Sequence, residues 1–260
     1  MANVVTTVGT WDDFQQEWSG VRNFLVGAEV FPYRFSFPPL DTVIDVVRQD
    51  DKARILAGRP GDRFDGTDVA AEFRALPIAE AVRAPVQMSH FALERFTAPG
   101  QILAGLDQIV QRWQAALAEH GFTWTRVYPI LFLSGPFCHT NYHVDRSHVL
   151  AWQIIGRKRF CWLKDPDRWC PKEVRRHLGQ AEKIVKPDGL TADDRIEVEM
   201  GPGDLLLNVP LTSHWVYATD ETAYSINIAH WDLRHNGQLC PMGQEVEAIL
   251  REREAARAGS

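Results

Sequence analysis

Three side chains in this sequence have the types and the spacing of a metal site. His143 and Asp145 are separated by one residue, and His214 lies far downstream. Because strand side chains alternate between two faces, an imidazole and a carboxylate two positions apart would point the same way. A distant imidazole would complete two histidines and one carboxylate on one face of an ion. The opposite face stays open, as in non-haem Fe(II) oxygenases.

Neighbouring histidines offer competing ligand sets. His139 and His143 are four residues apart, a spacing that on a helix would suit zinc. The sequence lacks the glutamate of an H-E-x-x-H motif, however, and Gly135-Pro136 just upstream disfavours a helix. His148 could lie behind the metal ligands or face a substrate, but we predict a surface position for it. We therefore favour the first ligand set.

The composition is that of an ordinary globular protein. The 260 residues are 45% hydrophobic and 24% charged, with a formal net charge of −6. These values favour a sizeable core and argue against a general nucleic-acid or anionic-membrane binder. The first residues contain no signal region, no run is apolar enough to span a membrane, and the cysteines form no C-x-x-C pair. We therefore expect a cytoplasmic protein with free thiols and with neither nucleic-acid nor membrane partners.

Helical and strand patterns occupy different parts of the chain. The first part mixes them: we predict helices over 10–18, 40–48 and 102–120 and strands over 24–37 and 54–56. After Gly121 the pattern changes to short apolar segments separated by Gly, Pro or Asp, which favours a sandwich or barrel. The predicted strands there are 127–134, 150–155, 159–163, 196–200, 204–209, 215–217 and 224–229.

We predict one domain over residues 1–260. Its parts would be an α/β layer over 1–124, a β-rich core over 125–232 and a C-terminal helix within 233–260. Val246, Ile249 and Leu250 form a thin apolar edge on that helix. This edge suggests a homodimer contact.

The order of motifs between residues 125 and 232 resembles the JmjC or cupin-like branch of the Fe(II)- and 2-oxoglutarate-dependent oxygenases. The resemblance rests on His143-Val144-Asp145, on the turn Gly156-Arg157-Lys158 and on Gly201-Pro202-Gly203-Asp204 ahead of His214. It implies a mainly β fold with flanking helices around a double-stranded β-helix (jelly-roll or cupin) core. The first third of the chain is similar, less specifically, to asparaginyl-hydroxylase-like members.

The resemblance also implies roles for individual residues. The iron ligands would be His143, Asp145 and His214. Thr140, three residues before the first histidine, and Lys158, fifteen after it, occupy positions that contact 2-oxoglutarate in that family. Several relatives carry an asparagine where Val149 stands here, and we expect Asn227, on a later strand, to supply an equivalent contact. Tyr128 is a candidate for a further hydroxyl contact, although a packing role is equally consistent with its position.

Charge and alternation give Lys158 a reason to point inward. A buried carboxylate of 2-oxoglutarate needs a cation as its partner. On a strand, Lys158 would face one side while Arg157 and Arg159 face the other. Arg146 is a candidate for substrate contact, although we predict surface charge for it. Four core tryptophans are candidates for the cavity wall, although packing is the commoner role: Trp152, Trp162, Trp215 and Trp231.

The reaction implied by the resemblance uses Fe(II), 2-oxoglutarate and O2 to hydroxylate a substrate C–H bond. We expect that substrate to be an amino-acid side chain of a peptide or protein. A free amino acid or another small metabolite is the alternative. A cupin-type module that binds metal or ligand without turnover is a second alternative, although a complete triad with Thr140 and Lys158 argues against it.

Overall fold

The computed structural model describes residues 5–32, 34–58, 66–180 and 183–258. Its helices are α1 (Trp11–Trp18), α2 (Leu40–Val47), α3 (Ala70–Ala75), α4 (Ile78–Ala81), α5 (Leu106–Glu119), α6 (Pro166–Trp169), α7 (Lys172–Arg175) and α8 (Pro241–Ala258). Its strands are β1 (Thr7–Val8), β2 (Phe24–Val26), β3 (Arg54–Ala57), β4 (Val86–His90), β5 (Phe122–Thr123), β6 (Arg126–Ser134), β7 (His148–Ile155), β8 (Lys158–Leu163), β9 (Arg195–Met200), β10 (Leu205–Asn208), β11 (His214–Ala218), β12 (Ala223–Trp231), β13 (Arg234–His235) and β14 (Gln238–Leu239).

One large sheet contains strands from both the first and the later parts of the chain. Within the described residues its strand order is β1-β2-β10-β7-β12-β6-β4-β3. The central strands come from the predicted β-rich part, whereas β1 and β2 extend one edge and β3 and β4 extend the other. The first part of the chain therefore completes the sheet at the centre of the fold.

A smaller sheet, β11-β8-β9, contributes the opposite wall of a cavity. An extended segment, residues 138–145, runs beside β11 and joins it through the isolated pairs His139↔Tyr217 and His143↔His214. The sequence predicts regular alternation for the His143-x-Asp145 motif. The structure instead holds the motif in an irregular segment, because Pro136 and the positive φ of 56° at Phe137 interrupt the strand that precedes it.

The main hydrophobic core lies between the large sheet and the helices. The apolar side of α5 is buried there. Thr10 is the N-cap of α1, and its side chain accepts a hydrogen bond from Asp13 N. The predicted helix over 102–120 starts later, at Leu106, because Gly105 has a φ of +87°. The predicted strand over 24–37 stops at Val26, where a turn from Gly27 to Val30 replaces it.

Helix α8 packs against the chain itself. Val246 and Ile249 are 7% and 6% exposed and belong to a cluster that includes Leu163 and Trp215. The apolar edge that suggests a dimer is thus covered within one chain. The homodimer remains a prediction, and the apolar edge of α8 no longer supports it. Over its described residues, the structure has no helix long and apolar enough to cross a membrane.

Candidate metal centre

The structure brings His143, Asp145 and His214 together. Their ligand atoms lie within 4.8 Å of one another. Asp145 Oδ1 is 4.0 Å from His143 Nε2, and Asp145 Oδ2 is 3.6 Å from His214 Nε2. Ligands roughly 2.1 Å from an ion lie about 3 Å apart when they bind at right angles. Small side-chain rotations would therefore bring all three atoms onto one ion.

Backbone hydrogen bonds align the two histidines. His143 N donates to His214 O at 3.0 Å, and His214 N donates to His143 O at 2.9 Å. Leu211 N donates to Asp145 O at 2.8 Å, which holds the second ligand of the motif beside the turn that leads into β11. Residues far apart in sequence are therefore placed at one end of the cavity by three main-chain bonds.

Each histidine presents Nε2 as its free nitrogen. His143 Nδ1 lies 2.8 Å from Asn141 O, and His214 Nδ1 lies 2.9 Å from Thr212 O. A carbonyl oxygen only accepts, so Nδ1 carries the hydrogen in both rings and Nε2 keeps a lone pair for a metal. Burial, aided by nearby His143, lowers the pKa of His214 to about 4. His214 is therefore neutral near physiological pH, as a ligand must be.

Asn208 holds the carboxylate. Its Nδ2 donates to Asp145 Oδ2 at 3.2 Å, and the asparagine is 1% exposed at the end of β10. No motif in the sequence predicted a role for this residue. The signal in the sequence is an amide side chain directly after the apolar run Leu205-Leu206-Leu207. Such a position is expected to be buried, and a buried polar group needs a hydrogen-bond partner.

A cavity of about 350 Å³ extends from the triad into the space between the two sheets. The residues that line it alternate along the surrounding strands, because successive side chains of a strand point to opposite faces. On β6 these are Tyr128, Ile130, Phe132 and Ser134, and on β12 they are Ser225, Asn227, Ala229 and Trp231. The lining of the remaining strands includes Val149, Ala151, Lys158, Phe160 and Val216.

The amino group of Lys158 is buried in this cavity. It is 2% exposed, and its Nζ donates to Phe132 O at 2.8 Å and lies 3.4 Å from Ser225 Oγ. In the part of the chain that the structure describes, no carboxylate pairs with it. Burial lowers the pKa of its ammonium to about 7. Its neighbours Arg157 and Arg159 face outward and pair with Glu199, as alternation predicts.

Thr140 and Asn227 line the same cavity. Thr140 Oγ1 accepts a hydrogen bond from Val216 N at 2.9 Å and donates weakly to Asn141 O at 3.3 Å. A better acceptor, such as a carboxylate, would replace the weaker bond. Asn227 is 9% exposed, and its Oδ1 is buried without a hydrogen-bond partner among the described residues. Both side chains thus retain polar capacity for a bound molecule.

Other predicted residues lie elsewhere or pack. The surface position predicted for His148 is wrong: it is 2% exposed, and its ring stacks on Trp18 at 5.8 Å because α1 covers that end of β7. His139 stacks on Tyr217 at 4.6 Å and is not one of the three clustered ligands. Trp231 lines the cavity. The other candidate tryptophans are buried in hydrophobic clusters: Trp152, Trp162 and Trp215.

Comparison with known proteins gave matches among solved structures. No protein-family model and no curated protein matches the sequence. YcfD, a ribosomal oxygenase from Escherichia coli, is 16% identical, with a TM-score of 0.55 over 96% of this chain and 56% of that one. YcfD with cobalt and succinic acid has a TM-score of 0.56 at 15% identity, over 93% and 66%. YcfD with cobalt and 2-oxoglutarate has a TM-score of 0.51 at 16% identity, over 95% and 56%.

These matches confirm the predicted fold, a mainly β JmjC- and cupin-like core with flanking helices. The chain spans 56% of the first matched chain. The asparaginyl-hydroxylase-like branch stays a prediction.

Proposed function

We propose that this protein is an Fe(II)- and 2-oxoglutarate-dependent oxygenase that hydroxylates a C–H bond on an amino-acid side chain of a peptide or protein. The observation that carries the proposal is Lys158, a buried ammonium with no carboxylate partner among the described residues, in the same cavity as the triad. A buried cation without a counter-ion costs stability. A dicarboxylate cosubstrate would remove that cost.

The donor set fits iron. Two neutral imidazoles and one carboxylate suit Fe(II) and leave other positions open. When bound, the ion with 2-oxoglutarate and O2 would supply the oxidising power for the C–H bond. The protein's contribution is placement: the Asn141 and Thr212 carbonyls orient the imidazoles, and Asn208 orients Asp145.

The polar residues around Lys158 suit the distal carboxylate of 2-oxoglutarate. Phe132 O and Ser225 Oγ hold the ammonium in place, and a third N–H remains for an anion. Thr140 would donate its hydroxyl to the same carboxylate, and Asn227 would meet the cosubstrate from β12. Ile130, Val149 and Ala229 form an apolar cluster on the wall. Such a wall excludes water and strengthens the charge pairing.

A polypeptide substrate is supported by the structural similarity to YcfD, a ribosomal oxygenase. Hydroxylation of a free amino acid or a small metabolite in preference to a polypeptide would contradict this part of the proposal. We also propose a cytoplasmic location.

The direct test measures succinate formed from 2-oxoglutarate by the purified protein with Fe(II), and then the mass of candidate peptides. We expect Fe(II)-dependent succinate formation and a mass increase of one oxygen atom on a peptide. Metal binding without succinate under any condition would favour a non-catalytic module. Oxygen transfer to free amino acids in preference to peptides would favour the small-molecule alternative.

Thr140→Val is expected to weaken 2-oxoglutarate binding by about tenfold, because one charge-assisted hydrogen bond contributes on the order of 1.5 kcal/mol. It also removes the acceptor of Val216 N, so the free energy of unfolding should fall by about 1 kcal/mol. Thr140→Ser keeps the hydroxyl and is the matched control. Calorimetric titration measures the affinity. Equal weakening by both variants would contradict a role for the hydroxyl.

A further inference from the structure

Two arginines lie at the mouth of the metal cavity, and we call them the arginine rim: Arg54 on β3 and Arg146 directly after Asp145. Both line the cavity that holds the triad, and both are exposed. Neither forms an ion pair with any carboxylate in the described parts of the chain. Some other exposed arginines do; for example, Arg95 pairs with Asp51 at 2.8 Å.

Aromatic rings hold part of this mouth in place. The Arg146 guanidinium lies 3.5 Å from the centroid of the Trp231 ring. On the same face, Arg126 lies 4.4 Å from the Tyr128 ring and 5.7 Å from Trp231. Stacking occupies the flat face of a guanidinium and leaves its N–H edge available for a planar acceptor such as a carboxylate. The contact with Trp231 therefore favours one orientation of the Arg146 side chain at the mouth.

The charges deeper in the cavity already balance without the arginine rim. The charged lining residues are Arg54, Asp145, Arg146 and Lys158. A divalent ion, the Asp145 carboxylate, the Lys158 ammonium and a doubly negative cosubstrate together carry no net charge. The positive charges of Arg54 and Arg146 are not neutralised by any of these groups. They are also local, because the whole chain has a net charge of −6.

Apolar surface adjoins the arginine rim. Phe91 is 48% exposed, lines the mouth and packs edge-on against Phe132 at 5.9 Å. The mouth therefore offers an aromatic contact next to cationic groups. A ligand that matches it carries an apolar part that enters the cavity and anionic groups that stay outside.

We infer that the primary substrate is a polypeptide segment with aspartate or glutamate side chains next to the hydroxylated residue, bound through Arg54 and Arg146. This inference rests on the proposed function and names its substrate class. Acidic side chains would pair with the N–H edges of the arginine rim, while the neighbouring residue enters past Phe91 toward the triad.

The test compares three pools of fluorescein-labelled degenerate peptides, whose variable positions are acidic, neutral or basic. Anisotropy measures binding to the Co(II)-loaded protein with 2-oxoglutarate, so the readout does not depend on turnover. We expect the acidic pool to bind about tenfold more tightly than the neutral pool at low salt, with the difference shrinking as salt is added. Arg146→Gln and Arg54→Gln should each reduce this preference several-fold.

Arg157→Gln is the matched control, because Arg157 is exposed, points away from the cavity and pairs with Glu199. It should keep the preference for the acidic pool. Equal binding of all pools, tighter binding of the basic pool or an unchanged preference in Arg54→Gln/Arg146→Gln would overturn the inference. If free glutamate displaced the labelled peptides at the same concentration as unlabelled acidic peptides do, the inference that the substrate is a polypeptide would be overturned. Succinate formation without peptide tests the proposed function separately.

Discussion

Asp145→Ala is expected to abolish succinate formation and to weaken Co(II) or Fe(II) binding by at least about 100-fold. Asp145 is the charged member of the triad, and its carboxylate oxygens lie 4.0 Å from His143 Nε2 and 3.6 Å from His214 Nε2. Loss of outer partners of metal ligands already costs roughly 10- to 100-fold in affinity, and loss of the ligand itself should cost more. Anaerobic calorimetry and the visible absorption of the Co(II) form measure the binding.

Asp220→Ala provides the control for this prediction. Asp220 is an exposed carboxylate in the turn between β11 and β12. Its removal should leave metal affinity and turnover within about twofold, since exposed charges contribute little. His214→Ala should reproduce the loss seen with Asp145→Ala. Normal metal affinity in both triad variants would show that the ion binds elsewhere.

Lys158→Met is expected to weaken 2-oxoglutarate binding by roughly 100-fold. The substitution keeps an unbranched chain of similar length but removes the buried ammonium. Leaving the cosubstrate carboxylate buried without its cation should cost on the order of 3 kcal/mol. Arg157→Met is the matched control, because that neighbouring cation is exposed and faces away. An equal effect of both substitutions would contradict an inward role for Lys158.

The pKa of Lys158 adds a pH dependence with a defined sign. Burial lowers this pKa to about 7 in the free protein, and a carboxylate partner needs the protonated form. The affinity for 2-oxoglutarate should therefore be highest at pH values below this pKa and should fall as the pH rises above it. Lys158→Met should lose this dependence. A wild-type affinity that stays constant from pH 6 to about 9 would contradict this account.

The same lowered pKa affects stability in the opposite direction. Because the pKa of Lys158 is lower in the folded protein than the ordinary lysine value of 10.5, the unfolded chain takes up the proton first, and the free energy of unfolding falls as the pH drops from 10.5 to about 7. Below that pH the wild-type protein buries a charge. Lys158→Met should therefore raise the melting temperature of the ligand-free protein at pH values below the lysine pKa. Adding 2-oxoglutarate should stabilise the wild type more than the variant.

The predictable part of the site depends on local spacing. His143 and Asp145 are two residues apart. Lys158, at the start of a strand, lies between Arg157 and Arg159, which both point outward. The predicted strand over 159–163 corresponds to β8 (Lys158–Leu163) within one residue. Alternation of side chains along a strand is a property of the backbone itself, so sequence pattern alone indicates which of these groups share a face.

Contacts across long stretches of chain were not predictable in this way. Asn208 bonds to Asp145 from 63 residues away, and α1 buries His148 through Trp18. Arg54 reaches the cavity mouth because β3 joins the large sheet through β4. The sequence by itself determined the ligand types, their spacing and the strand pattern. Tertiary structure alone decided which polar groups are buried and paired, because burial depends on the packing of segments whose contacts leave no local pattern.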